Sequence, residues 1–354
     1  MRRILIVMTL LLLVMASASI TSARQAEPGP KLTEIVERGI LNCGVGGALP
    51  GFSSVNPDTN RMEGIDADFC RVVAAAIFGP DDVDSKVNFV PLTANERFNA
   101  LQAGQVDLLI RNTTWTLTRD ASLNSNFGPT TFYDSQGLMV KQELIDSGVQ
   151  SLADLEGASF CSQSGTTTEK NMVDAYTQLF GVAPALVLAE TSDATLRDFE
   201  NGACDVLTSD KSQLAGLRSA STNPSNLVIL NDTLSKEPLG PMYLDDDTQF
   251  GDIVDWAVYA TFTAEELGIT SQNIDEFAGT EDIVIARFLG QDESGLGALL
   301  GLSNTFAADI IRAVGNYAEI YERNVAPVGI PRDSSNGINQ LYTNGGLIYA
   351  PAWR

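Results

Sequence analysis

Short apolar runs of strand length alternate with longer stretches whose apolar residues recur every three to four positions, along most of this 354-residue chain. Ile40-Leu41-Asn42-Cys43-Gly44-Val45 reads as a short buried strand, and Gly46-Gly47-Ala48-Leu49-Pro50-Gly51-Phe52 as a loop rich in glycine and proline. Helical spacing covers 67–78, with Asp66 placed to cap it. Residues 87–92 form a second strand, 95–103 a helix stopped by Gly104, and 106–110 a third strand. A β-α-β-α-β series with connections this short predicts a largely parallel sheet with helices on its faces.

A second series of the same order begins past residue 150. It has a helical turn at 151–155, a strand at 158–161, a helix at 166–180, a strand at 185–188, a helix at 191–201 stopped by Gly202, and a strand at 204–208. Gln102-Ala103-Gly104-Gln105-Val106-Asp107 and Glu200-Asn201-Gly202-Ala203-Cys204-Asp205 share one helix-glycine-strand pattern, a weak internal echo. Thr131 to Val140 and Ser235 to Pro241 read as extended crossings between the two series, so the chain leaves the first unit and returns to it. The predicted organisation is α/β, with one lobe of 31–134 and 241–354 and another of 137–235. The last third is helical at 250–267, 283–289 and 304–322. Ile310, Ile311, Val314, Tyr317 and Tyr321 form a stripe for packing on a lobe, the alternative being a separate helical domain.

Arg2 and Arg3 precede an apolar run over 4–15, and Ala16-Ser17-Ala18 and Thr21-Ser22-Ala23 both offer small-x-small cleavage sites. This order predicts a signal peptide over 1–23; the apolar run is short of the roughly 20 residues a membrane span needs. Export to an oxidising compartment gives four cysteines, Cys43, Cys70, Cys161 and Cys204, a disulfide reading. Cys43–Cys70 with Cys161–Cys204 keeps each bridge inside one lobe, with other pairings or buried free thiols as the alternatives. The chain has no histidine, and four scattered thiols make a poor zinc site, so no metal and no cofactor is expected. A formal charge of −23 argues against nucleic acid and anionic membranes as partners.

Three segments carry candidate chemistry. Arg111-Asn112-Thr113-Thr114-Trp115-Thr116-Leu117-Thr118-Arg119 follows the third strand, at the sheet edge where open α/β folds bind ligands, and an arginine fork matches a carboxylate. Otherwise it is a solvated surface loop. Ser164-Gly165-Thr166-Thr167-Thr168-Glu169 opens a helix whose bare N–H groups suit an anion, or it serves capping alone. Asp210 ends a strand and either holds an ammonium group or caps the next helix. Together they match the two charges of a free α-amino acid, with Phe52 placed to pack on its side chain.

These segments resemble the extracytoplasmic amino-acid-binding proteins of ABC transporters, solute-binding protein family 3, and most of all the general L-amino-acid binders. Leu41-Asn42-Cys43-Gly44-Val45, the Arg111 to Leu117 run, Ser164 to Glu169, Lys236-Glu237-Pro238-Leu239-Gly240-Pro241, Ala313-Val314-Gly315-Asn316-Tyr317 and Gly345-Gly346-Leu347 carry the likeness, which spans 31–354. The resemblance implies a two-lobed periplasmic binding protein type II fold, hinged on two crossing strands, with a C-terminal helical extension. It implies Arg119 on the ligand α-carboxylate with Thr114 and Thr167, Asp210 on the α-amino group, Phe52 over the ligand, and Arg111 and Asn112 at its side chain. It further implies a periplasmic monomer that closes on an L-amino acid and docks to permease subunits, with no catalytic residues and no membrane insertion after signal removal. Met242 to Asp247 and Lys211 to Leu214 depart from the family pattern, which leaves ligand preference open. The competing readings are a cyclohexadienyl-dehydratase-like enzyme on the same scaffold, against which the missing histidine argues, and a sensor that docks a membrane receptor.

Overall fold

The structure is a computed structural model describing residues 28–332 and 334–354; the expected signal peptide lies outside the described residues. Two five-stranded sheets organise the chain. In the first, Leu41–Val45 lies between Val87–Pro91 and Leu108–Leu109, all parallel, as the β-α-β-α-β pattern requires. In the second, Ser159–Gln163 lies parallel between Ala185–Ala189 and Val206–Asp210.

Each sheet is parallel only in part, which corrects the expectation of largely parallel sheets. Met242–Leu244 enters the first sheet antiparallel beside Leu108–Leu109 and pairs on with Ser125–Phe127. Gln136–Lys141 does the same in the second sheet, beside Val206–Asp210, and pairs with Leu227–Ile229. Both inserted strands follow directly on a crossing between the sheets. A strand entering from the opposite side, without a crossover helix, can only run against its neighbour. The crossings themselves, Phe132–Asp134 and Glu237–Leu239, pair antiparallel.

The internal echo has a structural meaning. Asp107 donates its N–H to Asn42 O and accepts the Asn42 N–H at 2.9 Å; Asp205 treats Ser159 in the same way, accepting at 2.8 Å. In both lobes the aspartate ties the start of one parallel strand to the start of its neighbour. Disulfides join Cys43 to Cys70 and Cys161 to Cys204, Cα–Cα 6.1 and 5.6 Å, one in each sheet unit. Closing loops of 27 and 43 residues restricts the unfolded chain by about 3.5 and 4 kcal/mol respectively.

The Ile65–Phe78 helix is buried from Ile65 to Ala76, because it is apolar nearly all round and lies between the first sheet and the C-terminal helices. Thr248–Glu266 and Phe306–Ala313 pack on it. The expected helix over 304–322 breaks in two. Gly315 takes φ +96°, and Asn316 starts a new helix, Tyr317–Asn324, through a reciprocal cap with Glu319. Asp66, expected to cap the Ile65–Phe78 helix, sits within it, and Gly64 occupies the cap position.

The extension also reaches the crossings. Tyr321 stacks on Phe132 at 6.0 Å, and the Tyr317 hydroxyl donates to Thr131 O. The Asn339 amide accepts the Tyr133 N–H at 2.7 Å and donates to Tyr133 O at 2.9 Å. Arg332 holds Asn339 O and pairs with Glu265 at 2.8 Å.

Candidate functional site

The carboxyl ends of the two parallel half-sheets face each other, and the loops there touch. The Asn112 amide donates to Gln213 Oε1 at 3.0 Å, Asn95 to Ser164 Oγ at 3.0 Å, and Thr114 Oγ1 lies 3.3 Å from Thr167 Oγ1. The lobes are therefore closed on each other. Between them lies a small cavity lined by residues of both.

The first lobe builds its wall by a sharp turn after Leu108–Leu109. Asn112 has φ +31°, a conformation that asparagine tolerates better than most side chains, and its N–H is held by the Asp66 carboxylate at 2.8 Å. Burial pushes the Asp66 carboxyl up to about 7, against the opposing pull of the Asn112 N–H and Arg111. Arg111 is 4% exposed and anchored only through Nε, to Leu92 O at 2.8 Å. Thr114 follows it. Arg97, from the first turn of Arg97–Gln102, completes this wall; it is 2% exposed and its Nε has no hydrogen-bond partner.

The second lobe contributes strand ends and a helix start. Gln163 and Ser209-Asp210 terminate their strands. Thr166 caps the Thr167–Phe180 helix by accepting the Glu169 N–H at 3.1 Å, while Glu169 reaches back to Gly165 N rather than to its cap. Among the described residues no acceptor meets the N–H groups of Thr167 and Thr168, which leaves the positive end of a four-turn helix at the cavity. Thr167 Oγ1 donates to Glu237 at 3.0 Å, tying the wall to a crossing strand.

Asp210 resolves one of the alternatives left by the sequence. It occupies the cap position of Lys211–Ala220, but its side chain makes no capping bond, and Oδ1 is buried without a partner. Burial drives its carboxyl well above the usual range, the nearby Asp134 and Glu237 push the same way, and Arg119 and Arg97 oppose them. Asp134 is raised to about 6, chiefly by burial, although Ser212 donates to it. Facing these anions, Arg97, Arg111 and Arg119 crowd one another. Burial lowers all three, Arg111 to about 10, and mutual repulsion adds to the effect on Arg97 and Arg111. A guanidinium keeps its proton at physiological pH. None of the three makes an ion pair among the described residues, so an anion placed between them would relieve their mutual repulsion.

Of the residues anticipated from the sequence, Asp210, Thr114, Thr167, Asn112 and Arg111 line the cavity. Arg119 stands one layer back. Its Nη1 donates to Thr114 O at 2.8 Å and its guanidinium lies 5.2 Å from the centre of the Phe98 ring. Arg97 lies against the same ring at 4.7 Å. Phe52 does not line the cavity and cannot cover a ligand there, which corrects that expectation. It is 1% exposed, in the core of the first lobe, edge-on to Phe132 at 5.5 Å. Gly64 permits this, since a Cβ there would collide with the Phe52 carbonyl. Arg97, Gln163 and Gln213 lie outside the segments the sequence marked for ligand binding, while Thr166 and Thr168 fell inside the marked helix start and Ser209 beside Asp210 without being singled out. Gln163 and Ser209 sit at carboxyl ends of parallel strands, the position that could have marked them; Arg97 carries no such signal.

Among the described residues no cluster of three or more histidine, cysteine, aspartate or glutamate side chains could hold a metal ion, and no helix is long and apolar enough to cross a membrane. Comparison with known proteins places this architecture. The chain is 42% identical over 339 residues, 96% of its own length and 97% of the relative's, to the general L-amino acid-binding periplasmic protein AapJ of Rhizobium johnstonii. It is 42% identical, over 91% of itself and 93% of the relative, to the glutamate/glutamine/aspartate/asparagine-binding protein BztA of Rhodobacter capsulatus. An ABC transporter periplasmic binding protein from Brucella ovis, solved with glutathione bound, superposes with a TM-score of 0.86 at 41% identity, covering 92% of this chain and all of that one. Each of these relatives is a binding protein. The model of the bacterial extracellular solute-binding proteins, family 3, matches residues 41–325, and the chain belongs to that family.

Proposed function

We propose that this protein is the extracytoplasmic solute-binding component of an amino-acid ABC transporter, which closes on a free L-amino acid and presents it to permease subunits. The observation that carries the reading is the meeting in one cavity of Asp210, whose buried Oδ1 has no partner among the described residues, with Arg97 and Arg111, buried guanidiniums that make no ion pair there. Asp210 takes the α-ammonium. The α-carboxylate lies along Thr114 and Thr167, at the start of the Thr167–Phe180 helix, with the free nitrogens of Arg119 behind it. Arg111, Asn112 and Arg97 meet the ligand side chain. After the α-carboxylate is matched, positive charge remains, so acidic side chains are preferred and amides follow. The named ligands of the BztA relative are of these two kinds, and glutathione in the Brucella ovis relative carries the same glutamate head.

In this reading residues 1–23 direct export to the periplasm, and the mature protein acts as a monomer. Its lobes are 31–134 with 241–354, and 137–235, pivoting on the crossings near Asp134 and Glu237. Calorimetric titration of ligand-stripped protein with the twenty common L-amino acids tests it. Glutamate and aspartate should release heat at micromolar concentration or below; no heat from any of the twenty rejects the proposal.

A further inference from the structure

The ligand cavity does not end at the amino-acid head. Arg111, Asn112 and Gln163, which line it, also line a second cavity of about 160 Å³ between the same two lobes. Its middle is apolar, with Leu49, Pro91 and Leu92 on the first lobe. Its far side is the start of the nine-residue helix Ser192–Glu200, where Thr191 and Ser192 line the space. Thr191 spends its cap on Ala194 N, and the Ser192 N–H has no acceptor among the described residues. Arg111 links the two spaces: it is 96% buried, held only at Nε, and its terminal nitrogens have no hydrogen-bond partner among the described residues. Glu96, the one carboxylate on this wall, is already turned onto the Thr93 N–H and hydroxyl.

We propose that this second cavity is a distal subsite for γ-glutamyl peptides, amino acids whose side-chain carboxyl is extended by an amide-linked residue ending in a free carboxylate. This rests on the amino-acid reading of the first cavity and extends its ligand class. The glutamyl head sits between Asp210 and the threonines, as free glutamate does. The γ-amide passes between Arg111, which supplies a donor, and Gln163, whose Nε2 is held by Glu190 O at 2.7 Å and whose Oε1 accepts the γ-amide N–H. The added residue lies on Leu49 and Leu92, and its carboxylate meets Arg111 and the Ser192 helix start, where a buried cation and a helix dipole act together. The charge count agrees. A γ-glutamyl dipeptide carries one ammonium and two carboxylates, the same balance as free glutamate, so the arginine excess is matched equally by either ligand.

The test is calorimetry on ligand-stripped, full-length mature protein with three probes: L-glutamate, γ-L-glutamylglycine, and the C-terminal amide of that dipeptide. The dipeptide should bind within about tenfold of glutamate, and its amide at least tenfold more weakly than the acid. Ala48→Trp, which puts an indole into the second cavity from a position outside the amino-acid site, should weaken the dipeptide at least tenfold and leave glutamate within twofold. Glutamate binding with silence toward the dipeptide overturns the subsite and leaves the amino-acid reading standing. Equal affinity for the acid and the amide, a result that needs no variant, removes the distal carboxylate contact. Silence toward all three probes removes the amino-acid reading and the subsite with it.

Discussion

Replacing Asp210 by asparagine should move affinity and stability in opposite directions. In the ligand-free protein the carboxylate is buried, one oxygen has no partner, and Asp134 and Glu237 repel it. A side chain in that position opposes folding at neutral pH and is kept for what it binds. An ammonium about 4 Å from the carboxylate, at an effective dielectric constant near 20, is attracted by about 4 kcal/mol. The asparagine oxygen retains a neutral hydrogen bond worth about 1 kcal/mol. The net loss of about 3 kcal/mol corresponds to a Kd raised about 150-fold. Removing the buried charge should at the same time stabilise the ligand-free fold by about 1 kcal/mol, a rise in Tm of about 2 °C. Titration calorimetry with L-glutamate and scanning calorimetry of the ligand-free variant read the two quantities. An unchanged Kd would mean that no ammonium sits at Asp210. A Tm several degrees lower would mean that the side chain serves the fold.

Other expectations follow from the same site. Asp66 and Asp134 carry values raised to about 7 and 6 by burial, above those of the unfolded chain. Their protonation therefore favours the folded state: that stabilisation is complete below about pH 4 and is lost as pH climbs through 6 and 7. The ligand-free Tm should rise as pH is lowered from 8 to 5.5; a Tm that falls across this window contradicts the burial argument. Arg97→Gln should weaken glutamate about tenfold or more and leave glutamine within threefold, because only the former presents a side-chain anion; equal losses for both ligands would place Arg97 on the α-carboxylate. Cys161→Ala with Cys204→Ala should cost about 4 kcal/mol of stability by chemical denaturation, from the 43-residue loop it opens; a cost under 1 kcal/mol would show that the bridge does not constrain the unfolded chain.

Local signals made much of this legible in the sequence. Gly104 and Gly202 with the aspartates three residues on marked two units of like construction, and those aspartates turn out to perform one task in both sheets. Asp210 and the Arg111 to Thr114 run stood out because a polar residue at the carboxyl end of a buried strand has few structural reasons to be there. Arg97 was hidden because an arginine in the first turn of an amphipathic helix usually faces water; only tertiary packing buries it. Phe52 was misplaced for the converse reason. An aromatic ring in a glycine-rich loop looks available, until Gly64, far along the chain, lets the loop fold inward. The antiparallel strands could not be read at all, since their direction is set by where the chain re-enters each lobe. The break at Gly315 could have been read: Asn316 with Glu319 is a capping signal inside what looked like one helix.

The Asn339 amide occupies both backbone groups of Tyr133, much as a neighbouring strand would. Through Arg332 and Glu265 that amide is moored to the body of the first lobe. Tyr133 cannot then change its backbone angles as the cleft opens without giving up two hydrogen bonds. The bending has to be taken up farther along, between Asp134 and Gln136 on one crossing and ahead of Glu237 on the other. On the proposed hinge, the tail of the chain thereby sets where the molecule flexes, and a form lacking it should gain a looser joint while keeping every residue proposed to touch the ligand.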